Sequence, residues 1–535
     1  MTEPIRGPYA VARSATGLAG LSLASPLAGL AVEMALAWRF GASATVDAFR
    51  TSALLILFGQ QIFVFQVLPN VMVPLFAAYR AQRAEREAWE AGISLANLLV
   101  IPTAGLSALL FLRPDLVVHL LGPGLDGDAE RTAVFFARWF ALTFVPLVWS
   151  GMIAGVLYAY EIFWLPAASQ LLGNVVLVSA IVLSGPDWGP RSLVVGVLAA
   201  AFVTWALFIA RLVALMRRVA VRPTVWISAR HPGVRRALRL ALPLAGVVLI
   251  GLCNTAIINR VLSRLGVGTL ATFWYAWKMG QMASLLPAAL ATVLFPRFAA
   301  SWHSAREGEF RDTCTNALRM AVFLALPATC ILFALRAHIV TLLFQRGSFA
   351  AEAGGTVARL FGLLLVAVPA SVACVYAQQM LYAVQATWIP AAAQLGVALG
   401  LTALARIAAA RFAADGVMVT CVALTWASCV GLLTVFHRAY QPLPTKSLAV
   451  FAATVAPLAV ISAWLGGVGA GALHRLVGPG TWSLALTIAV GMCLASLVYY
   501  SLTLWWRFPE ALESRRYLDW QRDVMIRRLQ SALHG

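Results

Sequence analysis

Residues 157–171 read LYAYEIFWLPAASQL and residues 381–395 read LYAVQATWIPAAAQL, with Tyr158 and Tyr382, Trp164 and Trp388, Pro166 and Pro390, and Gln170 and Gln394 in one register. A copied stretch of this length points to two related halves. The copy extends outward. Phe40-Gly41 precedes VMVPLFAAY around Pro74, and Leu265-Gly266 precedes VLFPRFAAS around Pro296, 222 residues further on. Arg113 stands eleven residues before Gly124, and Arg336 stands eleven before Gly347, an offset of 223, while Pro166 and Pro390 are 224 apart. Three anchors at nearly one offset define a duplicated unit of six helices. Six is even, so both copies share one orientation. That predicts two lobes related by an axis along the membrane normal, with a cavity between them near the midplane that supports alternating access by rocking.

Composition sets the medium. Of 535 residues, 61% are hydrophobic and 11% charged, with a mean hydropathy of +0.83. So little polar material cannot coat a soluble domain, and the expectation is an all-α, multi-pass membrane protein. Apolar runs of about 20 residues, each able to cross a ~30 Å hydrocarbon core, recur from Ser14 to Trp506, and fourteen are expected. The segments read as a tail (1–13), an N-lobe of six helices (14–216), a basic linker (217–238), a C-lobe of six (239–438), two extra helices (447–506) and a basic tail (507–535). Pro223 and Pro232 argue against one continuous helix across the linker.

The net charge of +19 does not indicate nucleic acid, because the arginines follow the membrane. Arg80, Arg83 and Arg86, the linker cluster from Arg217 to Arg236, Arg306 and Arg311, and the tail from Arg507 to Arg528 fall on one side, whereas the 114–131 loop carries Asp115, Asp126, Asp128 and Glu130. The positive-inside rule then places both termini in the cytoplasm, with the basic segments against anionic headgroups. The N-terminus lacks the short apolar core and cleavage site of a removable signal, so the first helix is expected to remain. Seven cysteines without CxxC spacing read as small core residues, with neither a disulfide framework nor a metal site.

Polar groups inside spans are costly and are therefore candidates for function. Ser25, Gly29 and Glu33 share a face of helix 1; Gln60, Gln61, Gln66 and Asn70 lie on helix 2; Asn254, Asn259 and Arg260 on helix 7; Lys278 and Gln281 on helix 8. The plainer readings are an ion pair for Glu33, snorkelling for Arg260 and helix-to-helix bonds for the amides. Lys278, about ten residues into an apolar span, needs a carboxylate, water or an anionic ligand. Asp47 and Arg50 are expected to cap helix 2. No glycine-rich phosphate loop, HExxH or GxSxG appears, so the expected activity is movement rather than catalysis.

The segments FGASATVDAF (40–49), LPNVMVPLFAAYRAQ (68–82), Ile257 to Asn259 and LLFQRGSF (342–349) resemble the MviN/MurJ flippases of the MOP (multidrug/oligosaccharidyl-lipid/polysaccharide) exporter superfamily. The resemblance implies two six-helix lobes plus two helices, and flipping of an undecaprenyl-pyrophosphate-linked saccharide, lipid II for the best-known members. The chain also departs from the family pattern. Helix 1 keeps Ser25, Gly29 and Glu33 but has Pro26 and Val32 where the family has arginines. Gln60 and Gln61 replace a basic pair, Phe65 replaces an acid, a helix 7 carboxylate that some members use for sodium is missing, and Lys278 matches a helix 8 arginine. Arginine holds phosphate bidentately where glutamine offers only neutral donors.

The resulting expectation, which rests on the resemblance, is a flippase of the bacterial inner membrane without cofactor, driven by membrane potential or a proton or cation gradient. Its partners are a lipid-linked saccharide, membrane lipids and envelope-synthesis enzymes. Lys278 is the expected phosphate contact and Glu33 its counter-charge or a proton carrier. Gln60, Gln61, Gln66 and Asn70 are the expected sugar contacts. The rival expectations are export of a lipid-linked exopolysaccharide or O-antigen repeat, and a non-transporting scaffold for envelope synthesis.

Overall fold

The computed structural model describes residues 8–219, 228, 230–303, 307–478 and 480–512. Arg222 and Pro223 of the linker, Arg306 and the tail from residue 513 lie outside the described residues. The helices are α1 (Pro8–Phe40), α2 (Ala44–Gly59), α3 (Leu68–Ala81), α4 (Glu85–Leu112), α5 (Asp115–Leu121), α6 (Gly127–Phe140), α7 (Phe144–Ala159), α8 (Trp164–Leu183) and α9 (Arg191–Arg218). They continue as α10 (Pro232–Leu262), α11 (Thr269–His303), α12 (Glu307–Phe344), α13 (Ala351–Leu365), α14 (Val368–Ala383), α15 (Trp388–Ala439), α16 (Thr445–Val477) and α17 (Thr481–Trp505). No strand occurs among the described residues.

By length and composition, ten helical stretches among the described residues can cross a membrane, or up to twelve if each of two bent pairs is one span. The expected count of fourteen is therefore not reached, and the discrepancy has a local origin. Helix α15 runs 52 residues, or ~78 Å at ~1.5 Å per residue, far more than one ~30 Å crossing requires. Phe412 (φ −131°) and Ala413 (φ 49°) are non-helical inside it, where the sequence places a boundary between two spans. Helix α1, 33 residues long, is not among the ten. The bent pairs turn by 44° between Thr269–Leu285 and Pro287–Trp302 and by 43° between Ala351–Leu365 and Val368–Ala383. Pro287 begins the second half of the first pair, where a proline cannot donate the helix-closing hydrogen bond. Large apolar side chains such as Leu183 and Trp482 stand on the outside, 81% and 88% exposed, as lipid-facing surfaces do. Cys253 and Cys493 are also exposed and Cys330 is half-buried, so four of the seven cysteines fit the expected interior placement.

The copied stretch folds into a copied turn. Glu161 and Gln385 both adopt left-handed backbone, φ 60° and 62°. Ile162 N–H donates to Leu157 O and Ala386 N–H to Leu381 O, at 2.8 and 2.9 Å, while Glu161 N–H reaches Tyr158 O and Gln385 N–H reaches Tyr382 O at 3.0 Å each. This is the paired closure of a Schellman helix end, and it turns the chain into α8 and α15 at the same register.

The chain forms two compact units. The first comprises Met1–Tyr275, Phe344–Ala353 and Val397–Val417; the second comprises Ala276–Leu343, Gly354–Gly396 and Met418–Gly535. The core of the first unit gathers Met72 and Phe76 of α3, Trp89 of α4, Met152 of α7, Phe208 of α9 and Val234 of α10. Close approach in it depends on α7. A Cβ on Gly151 would lie 1.9 Å from Phe63 O and one on Gly155 2.5 Å from Met72 Cβ, so this G-x-x-x-G face admits backbone at a distance no larger residue permits. In the second unit Phe323, Phe451, Leu458 and Tyr499 cluster. Tyr499 Oη donates to Phe323 O at 2.9 Å, and Arg319 pairs with Glu510 at 2.7 Å.

Candidate functional site

Within the first unit α2, α7, α8 and α9 enclose a cavity of about 350 Å³. Its walls are mostly apolar, and its polar groups include Arg50 of α2, Gln60, Ser150 of α7, Gln170 and Asn174 of α8, and Thr204 of α9. Gln60 begins a π-helical segment, Gln60–Gln66, inserted between α2 and α3. Such segments widen the helix and release backbone groups, and they recur at functional sites. Here Phe63 O of that segment is the atom that faces Gly151.

Arg50 is the charged centre of the cavity. Its Nη1 donates to Glu33 Oε1 at 3.1 Å and its Nη2 donates to Glu33 Oε2, while the guanidinium lies 5.4 Å from the Tyr275 ring centre. The side chains of Arg50 and Glu33 are 15% and 9% exposed. A bidentate pair at this depth is held by two charge-assisted bonds, and removing either partner alone strands a buried charge. Arg50 Nε, also buried, has no hydrogen-bond partner among the described residues.

The expectation that Asp47 and Arg50 cap helix 2 fails. Asp47, 2% exposed, accepts from Gly268 N–H at 2.5 Å and from Ala271 N–H at 2.8 Å, and so caps α11 instead. Arg50 turns inward to the cavity. The other sequence candidates divide. Gln66 Nε2 donates to Gln61 Oε1 at 2.8 Å and Asn70 Nδ2 donates to Gln66 O at 2.7 Å, which makes these three a local amide chain rather than part of this cavity wall. Asn259, fully buried, donates to Thr51 Oγ1 at 3.2 Å and Leu121 O at 2.9 Å, a structural link. Asn254 is half-buried on α10. Arg260 donates to Leu120 O at 2.7 Å. Lys278 and Gln281 belong to the second unit, where Lys278 is half-buried with no side-chain partner among the described residues and Gln281 is exposed. Glu33 gives both oxygens to Arg50 and acts as its counter-charge. Sequence reasoning missed the cavity roles of Arg50, Gln170, Asn174 and Thr204. Gln170 carried a signal, since it lies in the copied stretch, and Arg50 carried another as a charge inside an apolar run.

The segments that carry the family resemblance also build a junction. Gly41 (φ 64°) and Gly347 (φ 62°) approach so closely that a Cβ on Gly41 would lie 2.4 Å from Ser348 O, and one on Gly347 2.3 Å from Trp38 O. Ser348 N–H donates to Trp38 O at 2.9 Å and Ser348 Oγ to Arg39 O at 3.2 Å. Tyr275 Oη donates to Gly41 O at 3.1 Å, with Phe344 and Phe349 against its ring at 5.1 and 5.7 Å.

Comparison with known proteins agrees with this arrangement. The profile of the family described as lipid II flippase MurJ matches residues 36–491. A lipid II flippase MurJ of Burkholderia cenocepacia is 27% identical over 66% of this chain and 70% of its own length. A probable lipid II flippase MurJ of Rhizobium tropici is 26% identical over 90% and 91%. Among solved structures, lipid II flippase MurJ in an inward closed conformation superposes with a TM-score of 0.76 at 16% identity, covering 91% of this chain and 98% of that one. An inward-facing multidrug resistance MATE family transporter of the MOP superfamily gives 0.69 at 15%, covering 81% and 99%. These two share the fold. With a family profile spanning most of its length, from the end of α1 into α17, the chain belongs to the lipid II flippase MurJ family of membrane transporters.

Proposed function

We propose that this protein flips a lipid-linked, diphosphate-bearing saccharide of the lipid II type from the cytoplasmic to the periplasmic leaflet by alternating access, with both termini in the cytoplasm. Family membership supports the activity. The observation that carries the reading to this chain's own residues is the Glu33–Arg50 pair at the wall of a cavity with amide and hydroxyl groups. A guanidinium held bidentately by a carboxylate keeps Nε free, so it can offer that N–H to a phosphate oxygen while Glu33 stays in place and no buried charge is stranded. Gln60, Gln170 and Asn174 offer neutral donors and acceptors of the kind sugars and peptide amides require. Lys278, in the second unit, is a candidate phosphate contact in its own right. The drive is the membrane potential or a proton or cation gradient.

A second reading, transport of a lipid-linked exopolysaccharide repeat, is favoured by Gln60 and Gln61 where the family pattern carries a basic pair. Proteoliposomes holding the full chain and fluorescent lipid II decide between the two. Translocation faster than in empty vesicles, reduced on the order of tenfold in Arg50→Gln, supports the first. Folded protein that moves a lipid-linked exopolysaccharide repeat but not lipid II overturns it in favour of the second.

A further inference from the structure

A second cavity of the first unit, about 420 Å³, shares no lining residue with the first. Ile257, Arg260, Val261, Arg264 and Leu265 contribute one wall and Thr402, Arg406, Ala409 and Ala410 the other. The first set is spaced i, i+3, i+4, i+7, i+8 along the end of α10 and the turn after it, and the second i, i+4, i+7, i+8 along α15, so two helix faces confront each other. Three guanidiniums share this space and no carboxylate lines it. Arg260 gives one nitrogen to Leu120 O, and the side chains of Arg264 and Arg406 have no partner among the described residues. All three are exposed, so solvent screens much of their mutual repulsion, and an anion seated among them relieves the remainder.

The repeat shows that the scaffold does not require all of these charges. With Phe40-Gly41 aligned on Leu265-Gly266, Arg260 and Arg264 correspond to Ala35 and Arg39, and at the 224-residue offset of Pro166 and Pro390 Arg406 corresponds to Val182. There α1 packs along α8, Ala35 is buried, and Arg39 donates to Gly185 O at 2.6 Å. One copy of the interface thus carries a single arginine, already bonded to a carbonyl, and the other carries three around an open cavity.

We propose that this cavity is a binding site for the diphosphate headgroup of a membrane lipid, with the guanidiniums on the phosphates and Ile257, Val261 and Leu265 against the first part of the chain. It lies at the end of α10 joined to the 114–131 loop, the side that the charge pattern assigns to the periplasm. It therefore receives the headgroup after translocation. A diphosphate fits better than a phosphodiester headgroup, because a monoanion leaves most of the cationic charge uncompensated. The inference rests on the diphosphate-linked class of the proposed substrate and adds a second site for it.

The test uses the full chain in nanodiscs of zwitterionic phosphatidylcholine, titrated with farnesyl diphosphate. Arg264→Gln/Arg406→Gln is expected to weaken one binding phase on the order of tenfold or more, while the charge-matched control Arg438→Gln/Lys446→Gln, at exposed positions outside the cavity, leaves it unchanged. If the double variant does not fold, Arg406→Gln alone, exposed on α15, is expected to weaken the same phase by roughly half that factor on a logarithmic scale. Unaltered affinity in a folded variant overturns the site. Phosphatidylglycerol competing as well as farnesyl diphosphate overturns the diphosphate assignment, and inorganic diphosphate binding equally well overturns the lipid assignment. Lipid II translocation in proteoliposomes is scored separately, so a chain that binds through these arginines but does not translocate lipid II refutes the proposed function and leaves this site standing.

Discussion

The loops around Gly124 and Gly347 are copies of one element, and each docks on the end of the first helix of the other repeat. Gly124 lies against the end of α10, where an added Cβ would come within 2.5 Å of Ser263 O and of Arg264 Cα, and its N–H donates to Ser263 Oγ at 3.2 Å. Gly347 lies against the end of α1 in the same way, within 2.3 Å of Trp38 O. Both contacts are inside the first unit. Their fastenings differ. The Gly124 contact is held largely by side chains, through Ser263, Asn259 to Leu121 O and Arg260 to Leu120 O. The Gly347 contact is held by backbone, Ser348 N–H to Trp38 O, with positive φ at the glycine and an aromatic cluster of Tyr275, Phe344 and Phe349 beside it. Duplication conserved where the loop docks and left each copy to find its own chemistry. The arginines eleven residues before the two glycines show the same divergence. Arg113 bonds Asp115 at 3.1 and 2.9 Å, which holds that carboxyl below the usual range, whereas Arg336 stacks 4.1 Å from the Phe333 ring centre and donates to Phe333 O.

The largest expected effect tests the backbone-held contact. Gly347→Ala adds both left-handed strain and a clash with a carbonyl, for a loss of about 3 kcal/mol read as a lowered unfolding temperature in detergent. Gly124→Ala meets similar crowding without positive φ and is expected to cost about 2 kcal/mol; equal losses at the two sites refute the claim that backbone conformation separates them. Asn259→Ala removes a buried donor that serves two acceptors on the side-chain-held copy, with an expected loss of about 1.5 kcal/mol. Ser348→Ala is the smallest, about 0.5 kcal/mol, because the Ser348 N–H bond to Trp38 O survives the loss of its hydroxyl. A Ser348→Ala loss as large as that of Asn259→Ala shows instead that side chains carry both contacts.

Much of the fold was legible because period and repetition are written locally. The Tyr, Trp, Pro and Gln register of 157–171 and 381–395 foretold the shared helix end that Glu161 and Gln385 form. Proline and charge marked most span boundaries. The break at Phe412 and Ala413 was visible as a pause between two apolar runs. The candidate site was less legible. Glu33 and Gln60 were identifiable as costly polar groups in apolar helices, but their partners were not, since Arg50 lies seventeen residues from Glu33 on another helix and Asn174 lies more than a hundred residues from Gln60. Asp47 misled for the same reason: a carboxylate at the start of one helix reads as its cap, and only packing brings the N-terminus of α11 within reach.

The sequence by itself determined that this chain crosses a membrane repeatedly, carries an internal copy of the 157–171 stretch and falls in a transporter family, because hydropathy, helical period and an internal copy are properties of neighbouring residues. Tertiary structure decided which charges meet: Glu33 with Arg50 at one cavity, Asp47 with α11, and Arg260, Arg264 and Arg406 around another. Electrostatic partnership depends on distances of a few ångströms between helices, and in a chain whose spans are apolar on nearly every face, the order of residues does not encode those distances.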